Sequence, residues 1–239
     1  MQTTTSGILC DYSCAGIEFF ATCEGNVVLD ILTTNIYSTT NNCYFKAYVD
    51  GQLWKNGDSD YCEINFEIRE ITLKNIPRGT HTIRIIKVSG YIQTQTTFLK
   101  LTLTGFVSKT APAQKELFIE FVGDSICCGW GIIGNHDGSY ESQDGSLAYP
   151  YLLLEKLDAD YSVMALSGRG VVHGGDFCLE EAYKYPSIWR DSTIEHDFER
   201  QADIVVLNIG TNDFSHSISA ADFTAAYKRL IQYVREKNG

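Results

Sequence analysis

The chemistry-bearing residues of this chain gather at the ends of three short apolar runs. Phe118-Ile119-Glu120-Phe121-Val122 leads into Gly123-Asp124-Ser125. Tyr161-Ser162-Val163-Met164-Ala165-Leu166 leads into Ser167-Gly168-Arg169-Gly170, and Asp203-Ile204-Val205-Val206-Leu207 leads into Asn208-Ile209-Gly210-Thr211-Asn212-Asp213. Each run has the length and character of a buried strand. In open α/β sheets, ligands bind outside the carboxyl ends of the strands. A serine there is placed to act as a nucleophile, although Gly-Asp-Ser by itself is also common turn chemistry. Three strand-then-loop units with helical patterns between them predict a parallel α/β sheet carrying all three loops on one edge.

Taken together, these blocks resemble the SGNH (GDSL-like) hydrolases. Gly123-Asp124-Ser125 matches the first block, whose serine is the nucleophile. Gly170, with Gly168 as the alternative, matches the glycine of the second block, and Gly210-Thr211-Asn212-Asp213 matches the third. The longer string from Asn208 to Ser215, with a β-rich N-terminal half, is similar to carbohydrate esterase family two, which removes acetyl groups from polysaccharides. Serine ester hydrolysis needs a nucleophile, a base and donors for the oxyanion. The resemblance implies Ser125 as nucleophile. It implies the Ser125 and Gly170 N–H groups and the Asn212 amide as oxyanion donors. Gly123, Asp124 and Asp213 read as loop supports, because short acidic side chains bond nearby backbone. No cofactor is implied.

The resemblance also implies a histidine in a last block near the C-terminus, which these residues do not contain. The five histidines are His81, His136, His173, His196 and His216, and none lies in a matching motif. His136 and His173 fall on loops at the right edge, and His216 closely follows the third block. The expectation is a serine and an oxyanion hole with little or no esterase activity in these 239 residues, the base lying outside them.

The intervening stretches fill in the frame. Gly129, Gly131 and Gly134 match G-x-G-x-x-G, but the dinucleotide fingerprint needs a strand directly before it and a helix opening on it. Here the three glycines are expected to let the backbone pass near the substrate. Leu147 to Leu157 reads as a helix, with Leu147, Tyr151, Leu154 and Leu157 on one face. Ser219-Ala220-Ala221-Asp222 reads as a helix start, with Phe223, Tyr227, Leu230 or Ile231, and Val234 on its apolar face. Trp130, Arg169 and Trp189 are the candidates for contact with a sugar. Candidate metal ligands show no recognisable spacing.

Residues 1–110 have a β composition. Ile17–Cys23 and Val27–Leu32 flank Glu24-Gly25-Asn26 and read as a hairpin. Cys43–Val49 ends in Asp50-Gly51, a favoured hairpin turn. Further runs lie at Ile71–Leu73, Thr80–Val88 and Phe98–Phe106. Several short strands with regular turns suggest a sandwich, and the resemblance implies a jelly roll. Trp54, Tyr44, Tyr48, Tyr61 and Tyr91 are read as core or packing aromatics, and His81 as surface without a role. The predicted fold is therefore α/β plus all-β: a β-sandwich over 1–110, a linker over 111–116, and an incomplete α/β/α flavodoxin-like SGNH hydrolase domain over 117–239.

Composition sets outer bounds. The net charge is −11, which disfavours nucleic acid and anionic membrane surfaces as partners. Acetylated polysaccharide or oligosaccharide is the expected partner. Met1 to Ser6 carries no signal-peptide features, so a secreted bacterial setting requires a leader already removed. The missing strands predict an open sheet edge and association through it. The eight cysteines are expected to be buried thiols. Two other functions compete: non-catalytic carbohydrate binding, and another SGNH activity such as a lipase or thioesterase. The polar loop from Asn135 to Asp144 weighs against a lipase lid.

Overall fold

The computed structural model of the protein describes residues 2–4, 7–35, 42–65, 67–91, 94–134, 142–187 and 194–239. They fall into two compact units, one reaching to Gln114 and one starting at Lys115.

The first unit is antiparallel β throughout. Its strands are β1 (Gln2–Thr4), β2 (Gly7–Leu9), β3 (Gly16–Asn35), β4 (Cys43–Val49), β5 (Gln52–Trp54), β6 (Cys62–Ile64), β7 (Glu70–Lys87) and β8 (Thr94–Val107). Their order is β1-β2-β8-β3-β7-β4-β5, with β6 also pairing β4. The Asp50-Gly51 turn joins β4 to β5, with positive φ at both residues. That geometry matches the twist of the flanking strands.

The hairpin expected at Glu24-Gly25-Asn26 is absent. The chain runs straight through as one 20-residue strand, β3. Its pairing with β7 shifts register on either side of Gly25, and Asn75 on β7 also takes a positive φ. A bulge needs the same left-handed residue as a turn, but it bends the strand instead of reversing it. Alternate residues of the long strands, including Val27, Leu29, Ile31, Ile71, Leu73, Ile83 and Ile85, build the core with Phe45 and Phe98. Tyr91 is fully buried and Trp54 packs against this core. His81 is bonded to Asp50 and to the Pro77 carbonyl. In both units together, all eight cysteines are free and buried.

The second unit carries the three predicted strands as a parallel sheet: β9 (Phe118–Gly123) in the centre, β10 (Asp160–Ala165) on one side and β11 (Ile204–Asn208) on the other. The helices are α1 (Tyr149–Leu157), α2 (Leu179–Ala182), α3 (Thr211–Ser215) and α4 (Ala220–Asn238). Pro150 stands at the start of α1, where its missing N–H costs nothing. Tyr151 and Leu154 are buried, whereas Leu147 and Leu157 are exposed. Leu147 belongs instead to a short 3-10 turn, Gly145–Leu147, so the helix begins two residues later than the apolar spacing predicts. Ser219 caps α4 by accepting the Asp222 N–H, and Ala226, Leu230 and Val234 form its buried stripe. Among the described residues no helix opens on Gly129, Gly131 and Gly134, which lie in a run of turns and bends.

Candidate active site

The strand register sets the site. Gly123 pairs with Ala165 on one side and Asn208 on the other, so all three strands end at one level. Ser125 follows two residues beyond Gly123, Gly168 three beyond Ala165, and Asn212 four beyond Asn208. Parallel strands aligned in this way bring three loops distant in sequence to a single edge.

Ser125 sits half-buried at the start of a tight turn. The Asp124 carboxylate accepts the Ile126 N–H at 3.0 Å, and its carbonyl accepts the Cys128 N–H at 3.3 Å. The Ser125 carbonyl accepts the Trp130 N–H at 3.0 Å, which uses the half-buried Trp130 to close the turn. Burial pushes the Asp124 carboxyl above the usual carboxylate range. The Ser125 N–H has no hydrogen-bond partner among the described residues.

Asn212 and Asp213 reach across to the second loop. The Asn212 amide donates to the Arg169 carbonyl at 2.8 Å and lies 3.5 Å from an Asp124 carboxylate oxygen. The Asp213 carboxylate, 1% exposed, accepts the N–H groups of Val171 at 2.8 Å and of Val172 and His173 at 2.9 Å. One dipeptide thus fixes the whole turn from Arg169 to His173. It also reaches Asp124, which precedes the nucleophile.

The geometry reverses the preference between the two glycines. The Gly170 N–H donates to the His173 carbonyl at 2.9 Å, so it is not available to an oxyanion here. A Cβ at Gly170 would overlap the Asp213 carboxylate, so that glycine makes room for the brace. Gly168 is exposed at φ +76°, has open space where a Cβ would stand, and its N–H has no partner among the described residues. The glycines after Ser125 need a similar correction. A Cβ at Gly129 would overlap the Asp144 main chain, while Gly131 and Gly134 have nothing within 4 Å.

His173 and His216 stack at the rim, ring centroids 3.6 Å apart and 14° from parallel. His216 Nδ1 is 2.8 Å from the Asn212 carbonyl, so Nδ1 carries the proton and donates it there. Burial, His216 and Arg169 hold His173 below its ordinary pKa. No histidine is hydrogen-bonded to Ser125 among the described residues. His196 accepts the Phe198 N–H and packs on that ring. The candidates His136 and Trp189 lie outside the described residues. The Arg169 stem passes over Gly174, where a Cβ would come within 2.9 Å of it, and its guanidinium lies 5.9 Å from the Phe177 ring. Sequence reasoning missed Tyr149, whose hydroxyl joins Asn208 to Cys127 behind the serine turn. A tyrosine before a helix-opening proline gives no signal for that.

Residues 121–239 match the model of the GDSL-like Lipase/Acylhydrolase family. The chain is 26% identical over 211 residues to an acetylxylan esterase / glucomannan deacetylase of Cellvibrio japonicus, covering 84% of this chain and 58% of that protein. It is 35% identical over 132 residues to the cellulase/esterase CelE of Acetivibrio thermocellus, covering 52% of this chain and 16% of that protein. The chain therefore spans under two thirds of both relatives. A family two carbohydrate esterase from Clostridium thermocellum, solved in complex with cellohexaose, superposes with a TM-score of 0.79 at 26% identity. That match covers 98% of this chain and 71% of the other. The second unit of this chain is similar over residues 121–239 to the GDSL-like lipase/acylhydrolase family, and the chain as a whole is similar in structure to a family two carbohydrate esterase.

Proposed function

We propose that the protein is a serine esterase that removes acetyl groups from plant polysaccharides such as xylan or glucomannan. The observation that carries this reading is the level ending of β9, β10 and β11, which gathers Ser125, Gly168 and Asn212 on one edge. Ser125 Oγ attacks the acetyl carbonyl carbon while a base takes its proton. The oxyanion accepts from the Ser125 N–H and the Gly168 N–H, and from the Asn212 amide once that amide gives up its bond to the Arg169 carbonyl or to Asp124. The carbonyl re-forms, the sugar oxygen leaves with the proton, and water then cleaves the acetyl-serine to acetate. Loss of one such donor costs on the order of 10²–10³ in turnover.

The proton acceptor is the open part of the site. With no histidine hydrogen-bonded to Ser125 among the described residues, we propose that turnover without an added base is low. Added imidazole supplies a base for Ser125, and its own attack on an aryl acetate is common to the wild type and Ser125→Ala, so the difference between them reports the serine. Acetate release from an aryl acetate, in the presence of imidazole and in excess of that variant, tests the assignment.

Trp130, Arg169 and Trp189 are proposed to meet the sugar. Arg169 is the only Lys or Arg in residues 124–134, 166–178 and 208–218, in a chain of net charge −11. For the first unit we propose a jelly roll, supported by the bulged β3 pairing β7 from Gly16 to Asp30 and β8 from Ala21 to Asn35. We place the domains at 1–110 and 117–239 with a linker between, and the protein outside the cell, where such polysaccharides lie. The Ser125 hydroxyl, which has no hydrogen-bond partner among the described residues, also favours a second reading, carbohydrate binding without catalysis. Retention of Ser125→Ala on acetylated xylan, with no Ser125-dependent acetate release under any condition, would establish it.

A further inference from the structure

An oxyanion hole assembled from three loops works only if Ser125 and Asn212 keep a fixed separation. The β9–β11 ladder fixes their strands but ends at Gly123 and Asn208. Beyond that level the Asn212 amide reaches the Asp124 carboxylate, and a second tie joins the serine turn to the end of β11 itself. The Cys127 side chain sits beneath Gly123, where a Cβ would overlap its sulfur, so the turn packs directly under the end of β9. Cys127 Sγ lies 3.1 Å from the Tyr149 hydroxyl, and the Asn208 amide donates to that hydroxyl at 3.2 Å. The Tyr149 ring stands edge-on to Phe121 of β9, centroids 5.9 Å apart and 76° from parallel.

We infer that Tyr149 is a positioning residue for the reaction, holding the Ser125 turn against the end of β11 through Cys127 and Asn208. The inference rests on the proposed serine chemistry. Tyr149 touches no reacting atom. With the direct Asn212–Asp124 bond, its hydroxyl helps set the distance between the nucleophile on one strand end and the Asn212 donor four residues past the other. A shift of about 1 Å in such a separation can cost up to about 100-fold in rate. Burial and the contact with Cys127 hold the Tyr149 hydroxyl in its protonated form, so it bridges the pair throughout the working range.

The test is Tyr149→Phe, which removes the hydroxyl and keeps the ring against Phe121. With imidazole present, its Ser125-dependent turnover of an aryl acetate should fall about 10-fold, with KM within about twofold and an unchanged melting temperature. Asn208→Ala should give a similar loss, and the double variant no further loss, because both break one tie. Hydrogen exchange of the amides from Ile126 to Trp130 should quicken in Tyr149→Phe while those of β10 stay as they are. Wild-type turnover with unaltered exchange would overturn the inference, as would additive losses in the double variant. If the wild-type chain shows no Ser125-dependent release, the esterase reading fails. The exchange measurement still decides the tie, and unchanged exchange rejects it.

Discussion

Asp213 holds more of the site than any other single side chain. Three backbone N–H groups from Val171 to His173 end on its carboxylate, which is buried. Bonds to a charged acceptor are worth about 1.5–3 kcal/mol each, and losing the acceptor leaves the donors unpaired. Asp213→Ala should therefore cost about 3 kcal/mol in denaturant unfolding of the second unit. It should also lower turnover, because the Gly168 loop loses its anchor. The two glycines separate by the same logic. Gly170→Ala drives a methyl into the Asp213 carboxylate and should destabilise about as much as losing the brace. Gly168→Ala meets open space and should cost about 1 kcal/mol for its positive φ. Denaturant midpoints of the two variants check the assignment. Ser125, Asn212 and Asp213 were legible in the sequence because each closes a short apolar run. The choice between Gly168 and Gly170 was not, because it depends on the His173 carbonyl folding back onto the Gly170 N–H.

At the scale of elements, the sheet of the second unit hides a titrating group. Glu120 lies in the central strand β9, 4% exposed, and accepts from the Tyr183 hydroxyl at the end of α2. Asn238 at the end of α4 donates to that same hydroxyl at 3.1 Å. Burial pushes the Glu120 carboxyl above its ordinary pKa, against the opposing pull of its bonds to Tyr183 and Ser162. The folded state thus holds the proton more tightly than the unfolded chain. The contribution of Glu120 is most favourable below the ordinary glutamate pKa of about 4.3 and is lost as pH rises through the raised value. Glu120→Gln, which cannot ionise, should melt higher than wild type at pH 7, and the gap should close by about pH 4. Melting temperature against pH tests this. Equal curves at all pH values would place no titration at Glu120. The strands themselves were legible from their apolar runs, and Asp50-Gly51 marked its hairpin. Glu24-Gly25-Asn26 misled because a bulge and a turn need the same residue types. What selects between them is the matching irregularity near Asn75 on β7, about 50 residues away.

At the scale of the molecule, two compact units meet in sequence at Gln114 and Lys115, and the stretch from Ser108 to Leu117 carries no strand or helix. Lys109 in that stretch is exposed. Brief trypsin treatment under native conditions should cut there first and leave two protected fragments. A single protected species, or first cuts elsewhere, would argue against independent units. Among the described residues β10 and β11 each pair with β9 alone, and Ile204 on β11 is 47% exposed. The polar, small composition from Ser108 to Lys115 is the sequence feature on which the proposed boundary rests. The bonding between the three loops was not visible, since it joins residues that only the strand register brings together.

The central claim is the proposal that Ser125 is the nucleophile at this edge, where no histidine is hydrogen-bonded to it among the described residues. Acetate release from an aryl acetate should be measured for the 239-residue chain beside Ser125→Ala, with and without imidazole. The account predicts little difference between the two without imidazole. With imidazole it predicts an excess of about 10-fold or more for the wild type. Equal release by both chains under both conditions would contradict Ser125 as the nucleophile. Fast release without imidazole that vanishes in the variant would instead put the base inside this chain, and His136, His173 and His216 would be the residues to replace.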